Sequence, residues 1–186
     1  MSILKLKVEY PGIRDRNKDY MATGLNTQLT KQIGEYLVAC ELARRGFLTA
    51  TFSGNVPEFD LIATNSKGES IPIQVKTING KAWQFSIDRF VEITFEGDFQ
   101  RLGKKKKLPV PNLISVFVVA GKKYGDDQFF VLEWSKVQEI IIAHHRHFLD
   151  SHGGKRPKKP DSLHCSLTLP ELELFRDRWE IIEERL

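Results

Sequence analysis

Apolar residues recur with helical spacing from Asn26 or Thr27 to Arg45, and Gly46 supplies a C-terminal stop. The pattern then changes period. "FLTATF" at 47–52 is β-rich and "SGNVP" at 53–57 reads as a loop. "EFDLIA" (58–63) and "SIPIQVKT" (70–77) alternate as strands, joined by the polar turn "TNSKGE" with Gly68. "AWQFSI" at 82–87 predicts a further short strand. Pro109 and Pro111 bracket an irregular stretch, after which "NLISVFVVA" (112–120) has the continuous apolar character of a buried strand. "DQFFVLE" (127–133) is its expected antiparallel neighbour. A helix is expected from about Ser135 to Phe148, then a Gly/Pro/Lys loop over 151–162. The last segment, "LPELELFRDRWEIIEERL", has helical periodicity with Leu172, Phe175, Trp179 and Ile182 on one stripe. The order is helix, several strands, helix, helix. That predicts an α/β (α+β) fold with a mixed sheet flanked by helices. The expected organisation is an N-terminal arm (1–25), a core (26–150), and a basic loop and C-terminal helix packed on it (151–186).

Composition narrows the class. The chain has 186 residues, 41% hydrophobic and 28% charged, which suits a globular domain with a real core. It contains no run of eighteen apolar residues, so no membrane span is expected, and "MSILKLKVEYPGI" does not read as a secretion signal. Cys40 and Cys165 are far apart and form no CxxC, so a reducing, cytoplasmic setting is expected. The net charge is +4, with much of the excess in two runs, "KKKK" at 104–107 and "KRPKK" at 155–159. Lys104, Lys105, Lys106, Lys107, Lys155 and Arg156 are therefore candidate phosphate contacts, with a plain solvated loop as the alternative. All five histidines fall between His144 and His164. His144 and His147 have i, i+3 spacing, but no fixed zinc-ligand pattern surrounds them, and a basic, titratable helix end is the preferred reading.

One group of residues carries chemistry. In strand 70–77, Ile71, Ile73, Val75 and Thr77 share one face, while Pro72, Gln74 and Lys76 share the other. Gln74 and Lys76 therefore project together, about 7 Å apart. Across the hairpin, Asp60 falls on the same side if the apolar faces coincide. A carboxylate, an amide oxygen and intervening carbonyls are the hard oxygen donors that Mg²⁺ prefers. A neighbouring lysine can polarise a phosphate or orient a water. On a helical wheel, Gly34, Glu41 and Arg45 mark the wet side, and Tyr36, Ala39, Leu42 and Ala43 the apolar side. Glu35 falls between Leu42 and Ala39, so it points inward and needs a partner, or else snorkels out at the helix N-terminus. Glu58 shares the Asp60 face and is a further candidate ligand, against the ordinary reading of a solvated strand-entry glutamate. Thr77 reads as core. Trp83 reads as core in preference to a base-stacking residue.

Glu35 on the first helix, Asp60 at a strand end and "Gln74-Val75-Lys76" across a hairpin resemble the PD-(D/E)xK nuclease superfamily of restriction endonucleases and Holliday-junction resolvases. "GEYLVACELARRGF" and "FDLIATNSKGESIPIQVKT" carry the resemblance, which runs from about residue 30 to 135. It implies a restriction-endonuclease-like core: a helix, a mixed sheet and another flanking helix. It also implies a Mg²⁺ or Mn²⁺ cofactor, DNA as substrate, and a homodimer as the working assembly. By the same resemblance Asp60 and Gln74 bind the metal, Lys76 assists the water and Glu35 supports the site. Gln74 departs from the acidic residue usual at its position, though the Mrr-like branch uses Q-x-K as its own form. The reading is thus a metal-dependent endonuclease, with a weak or inactive nucleic-acid-binding protein on the same fold as the alternative.

Overall fold

The computed structural model describes residues 24–52, 58–123 and 125–186. The expected N-terminal arm and the 53–57 loop lie outside these residues, apart from the arm's last two, which open the first helix. Helix α1 spans Gly24–Arg44. It stops where Gly46 turns to φ 86° and the Phe47 amide reaches back to the Leu42 carbonyl. Strands β1 (Leu48–Thr51), β2 (Leu61–Thr64) and β3 (Ser70–Ile78) follow as an antiparallel meander. The β2–β3 turn is tightened by Asn65, whose Oδ1 accepts from the Lys67 and Glu69 amides, and by Gly68 at φ 84°.

After β3 the chain makes a long crossover through β4 (Ala82–Ser86), a 3₁₀ turn (Ile87–Arg89) and the hairpin β5 (Val91–Glu96) and β6 (Phe99–Lys105). It returns as β7 (Ile114–Val119), parallel to β3, and then β8 (Gln128–Glu133), antiparallel to β7. The central sheet therefore has the order β1-β2-β3-β7-β8 and is mixed. Helix α2 spans Trp134–Ser151; β9 (His164–Thr168), α3 (Leu169–Leu172) and α4 (Glu180–Glu183) complete the chain. The fold is α+β, with a central mixed sheet flanked by helices, as the element order predicts.

Strand periodicity sorts the core into two layers. Ile73, Val75, Val116 and Val131 face α1, where Val38 and Leu42 cover them. Phe117, Phe130 and Leu132 face the other way, toward α2 and Trp83. Covered on both sides, β7 is buried along nearly its whole length.

Several expectations are corrected. The C-terminal segment is no continuous helix. Asp177 takes φ 51°, its amide donates to the Phe129 carbonyl, and Arg176 bridges to Phe130. Residues 173–178 thus cross the outer edge of β8. Leu172 stays in the α2-side core while Trp179 and Ile182 enter the α1-side core. The apparent single stripe serves two separate interiors. The lysine run is not simply a loop, because Lys104 and Lys105 belong to β6. β9 was hidden in what reads as the end of a polar loop, and β4 pairs with it rather than with the central sheet. On α1 the wheel is turned: Gly34 is buried with Val38 and Leu42, while Tyr36 is 59% exposed.

Candidate active site

The site forms where β2 and β3 part. Their ladder pairs Leu61 with Ile73, and the Asp60 amide adds a last bond to the Ile73 carbonyl. Beyond it, β3 continues against β7 alone, which leaves the Val75 N–H without a backbone acceptor on its β2 side. Asp60 Oδ2 fills that role at 2.8 Å. The carboxylate thus sits in the opening between two diverging strands, fixed by the main chain it replaces.

Its other oxygen, Oδ1, is 3.1 Å from Lys31 Nζ, and the same ammonium is 3.4 Å from Glu35 Oε1. Two carboxylates from different elements therefore converge on one cationic atom. Glu35 does point inward: its side chain is 17% exposed, and burial first, with the Asp60 charge, raises its pKa against the pull of Lys31 and Lys76. Lys31 shows the opposite balance. Burial disfavours its charge, but Asp60 and Glu35 together raise its pKa.

Glu35 owes its position to a close approach. Gly34 lies against Thr77 so tightly that a Cβ there would sit 1.7 Å from Thr77 Oγ1. A glycine lets the helix backbone reach the strand, which brings the next side chain to the site. Thr77 is thus packed against α1, as its place on the apolar face predicts.

Gln74 and Lys76 occupy the opposite face of β3 from Val75. Gln74 is 8% exposed and donates Nε2–H to the Glu58 carbonyl at 3.2 Å. That bond fixes the amide orientation, because only nitrogen can donate to a carbonyl, and it leaves Oε1 as the acceptor atom. Glu58 joins the site through this carbonyl. Lys76 is desolvated by burial, which lowers its pKa; Asp60 works against the shift, and the charges of Arg89 and Lys31 add to it. Trp83 is core, as expected, at 3% exposure. It also holds the strand, since Nε1 donates to the Lys76 carbonyl at 2.8 Å.

Asp60, Gln74, Lys76 and Glu35 are therefore brought together. The two basic runs are not. Lys106 lies beside the site's 3₁₀ turn, its amide bonded to the Phe90 carbonyl next to Arg89. Lys155 pairs instead with Phe99, at the far end of β6, roughly 20 Å away for a strand of that length. Arg156 turns inward to the His164 carbonyl and lies over the Phe148 ring.

Sequence reasoning missed three residues. Lys31 had one signal, its i, i+4 spacing to Glu35. Arg89 had none. Ser115, alongside Gln74 on β7, is buried with no hydrogen-bond partner for its hydroxyl among the described residues. It was concealed in an apolar run.

The histidines serve other ends. His144 pairs with Glu171. His145 is 1% exposed, with Nε2 3.0 Å from Gln100 Oε1, and burial, aided by the Arg156 and His144 charges, lowers its pKa to about 4. Among the described residues, no group of three or more His, Cys, Asp and Glu side chains is placed to hold a metal. A divalent ion at this site would rest on the two carboxylates with the Gln74 amide oxygen. That donor set fits a hard, oxygen-seeking cation, and the Lys31 ammonium already marks where a positive charge settles.

No family model matches the sequence, and no curated protein matches it. Among solved structures, the chain is similar to the bacterial homing endonuclease I-Ssp6803I, with TM-score 0.47 and 11% identity over 85% of this chain and 93% of that one. It is also similar to Hjc, a Holliday junction resolvase from the archaeal hyperthermophile Archaeoglobus fulgidus, with TM-score 0.42 and 12% identity over 82% and 95%. With identity this low and superposition this loose, neither likeness carries chemistry over, and function is read from the chain's own residues. Among the described residues, no helix is long and apolar enough to cross a membrane.

Proposed function

We propose that the chain is a metal-dependent nuclease that hydrolyses phosphodiester bonds in DNA. The observation that carries this reading is the convergence of Asp60 and Glu35 on a single cation beside a half-buried, charge-disfavoured lysine. Asp60, Glu35 and Gln74 Oε1 would hold Mg²⁺ or Mn²⁺. The bound ion would supply charge neutralisation at the phosphate and acidify a water. Lys76 is suited to the water itself. Its lowered pKa favours proton acceptance, so Nζ can take the proton as the water oxygen bonds to phosphorus; the bond to the sugar oxygen breaks and that oxygen leaves with a proton from solvent. Arg89 and the lysines at the end of β6 continue the positive charge away from the site and give the phosphate backbone a path.

A second reading is a protein that binds nucleic acid without cutting it. It is favoured by Gln74, whose neutral amide gives one donor oxygen where a carboxylate would give two and adds no charge. Cleavage of supercoiled, linear, branched and single-stranded DNA with Mg²⁺ or Mn²⁺ separates the two. Cutting that needs metal and is lost in Asp60→Asn and Lys76→Met supports the nuclease. DNA binding without cutting, unchanged in both variants, supports the binder.

A further inference from the structure

Lys31 has no part in the chemistry assigned above, yet it stands at its centre. Its ammonium lies 3.1 Å from Asp60 Oδ1 and 3.4 Å from Glu35 Oε1. These are the oxygens on which the proposed metal site rests, and the inference depends on that reading. An ammonium and a divalent ion compete for them, because both are drawn to the same oxygens and like charges so close repel. One of the three partners must yield, and the structure shows which. The Asp60 side chain is 10% exposed and its second oxygen is tied to the Val75 amide; the Glu35 side chain is 17% exposed. The Lys31 side chain is 53% exposed. Asp60 is held by the main chain and Glu35 is largely enclosed, whereas the cation is the most exposed of the three and is free to leave.

An ordinary surface pair on a helix would join Lys31 to Glu35 alone, at i, i+4. Here the shorter contact runs to Asp60, on a separate element. We propose that Lys31 is a built-in placeholder cation. It neutralises the Asp60–Glu35 pair while no metal is bound, competes with metal for the same oxygens, and swings into solvent when metal arrives. The protein thereby keeps two largely enclosed carboxylates side by side without metal, and accepts a weaker metal affinity in exchange.

The test uses the full chain, with Mn²⁺ as the probe and two readouts independent of activity: calorimetric titration, and thermal unfolding with and without Mn²⁺. Lys31→Met keeps the side-chain stem and removes the charge. It should bind Mn²⁺ roughly tenfold more tightly than wild type, the scale of one nearby charge removed from a partly exposed site. It should also unfold at a lower temperature without metal and show a larger rise on adding Mn²⁺. Lys31→Arg, which retains the charge, should bind no more tightly than wild type; Lys31→Gln replaces the methionine variant if that fails to fold. Mn²⁺ binding by Lys31→Met alone would support the placeholder in its strongest form. Equal affinity in wild type and Lys31→Met, abolished by Asp60→Asn, would overturn the placeholder and leave the metal site standing. No Mn²⁺ binding by any of these proteins would overturn the placeholder and the nuclease reading together.

Discussion

Asp60 has two duties, and its two oxygens divide them. Oδ2 completes the backbone at the Val75 amide, and Oδ1 faces the cation. Asp60→Asn keeps an acceptor for the amide, so the fold should survive while Mn²⁺ binding is lost. Asp60→Ala should lose the binding and also about 1–3 kcal/mol of stability, the cost of an orphaned buried donor. Urea unfolding beside calorimetric titration reads both effects. Lys76 should behave in the opposite sense. Its native pKa lies below the unfolded value, so the folded state carries the Lys76 charge at a cost, and this penalty fades as pH rises through the native pKa. Lys76→Met should therefore unfold at a higher temperature than wild type while abolishing cleavage, a trade common where function needs a strained group. Strand alternation made the shared face of Gln74 and Lys76 legible in the sequence, because period-two geometry leaves little freedom; Asp60 lies just outside β2 and is placed by its bond to the Val75 amide. Arg89 was illegible, and for Lys31 only the i, i+4 spacing to Glu35 was readable, because a surface cation looks the same whether it faces water or a second carboxylate.

At the scale of elements, α1 shows why hydrophobicity misdirects a helical wheel. Gly34, which has no side chain to score, lies tight against Thr77 of the sheet, and Tyr36, which scores as apolar, stands in solvent. Gly34→Ala should push the helix off Thr77 and carry Glu35 away from Asp60. Mn²⁺ affinity is then expected to fall alongside stability, and calorimetry on the folded variant would check it. On the other face, Gln138 donates to the Phe90 and Lys106 carbonyls, and Gln100 to those of Pro160 and Ser162. Gln100 Oε1 is left to accept, so neutral His145 must carry its proton on Nε2. With a native pKa of about 4 against 6.5 unfolded, the unfolded chain binds more protons between those values. Stability should fall by about 3 kcal/mol as pH drops through that window. Urea unfolding at several pH values should show His145→Gln losing less over the same range. These pins were not readable beforehand, since they join buried polar groups far apart in sequence, and the β5–β6 hairpin they anchor was missed with them.

Across the whole molecule, charge and topology act together. The proposed path for the phosphate backbone leads from Lys76 past Arg89 to the end of β6, while Lys155 lies at the strand's other end, with Arg156 next to it in sequence. Replacing Lys104–Lys107 by glutamine should weaken DNA binding at all sequences. It should also flatten the salt dependence by roughly 0.9 in log–log slope for each lysine that meets a phosphate, and replacing Lys155 and Arg156 should flatten it less. Fluorescence anisotropy over a salt series would show the difference. The overall class of fold was legible because helix, meander and buried strand each have a distinct period. The C-terminal segment was not, because a stripe of apolar residues says nothing about how many interiors it enters. That crossing at the edge of β8 has a mechanical meaning. A chain that leaves Leu172 in one layer and seats Trp179 and Ile182 in the other works as a clasp around the sheet. Neither layer can open without straining the clasp, so amide protons on the two faces should exchange with one shared free energy rather than two.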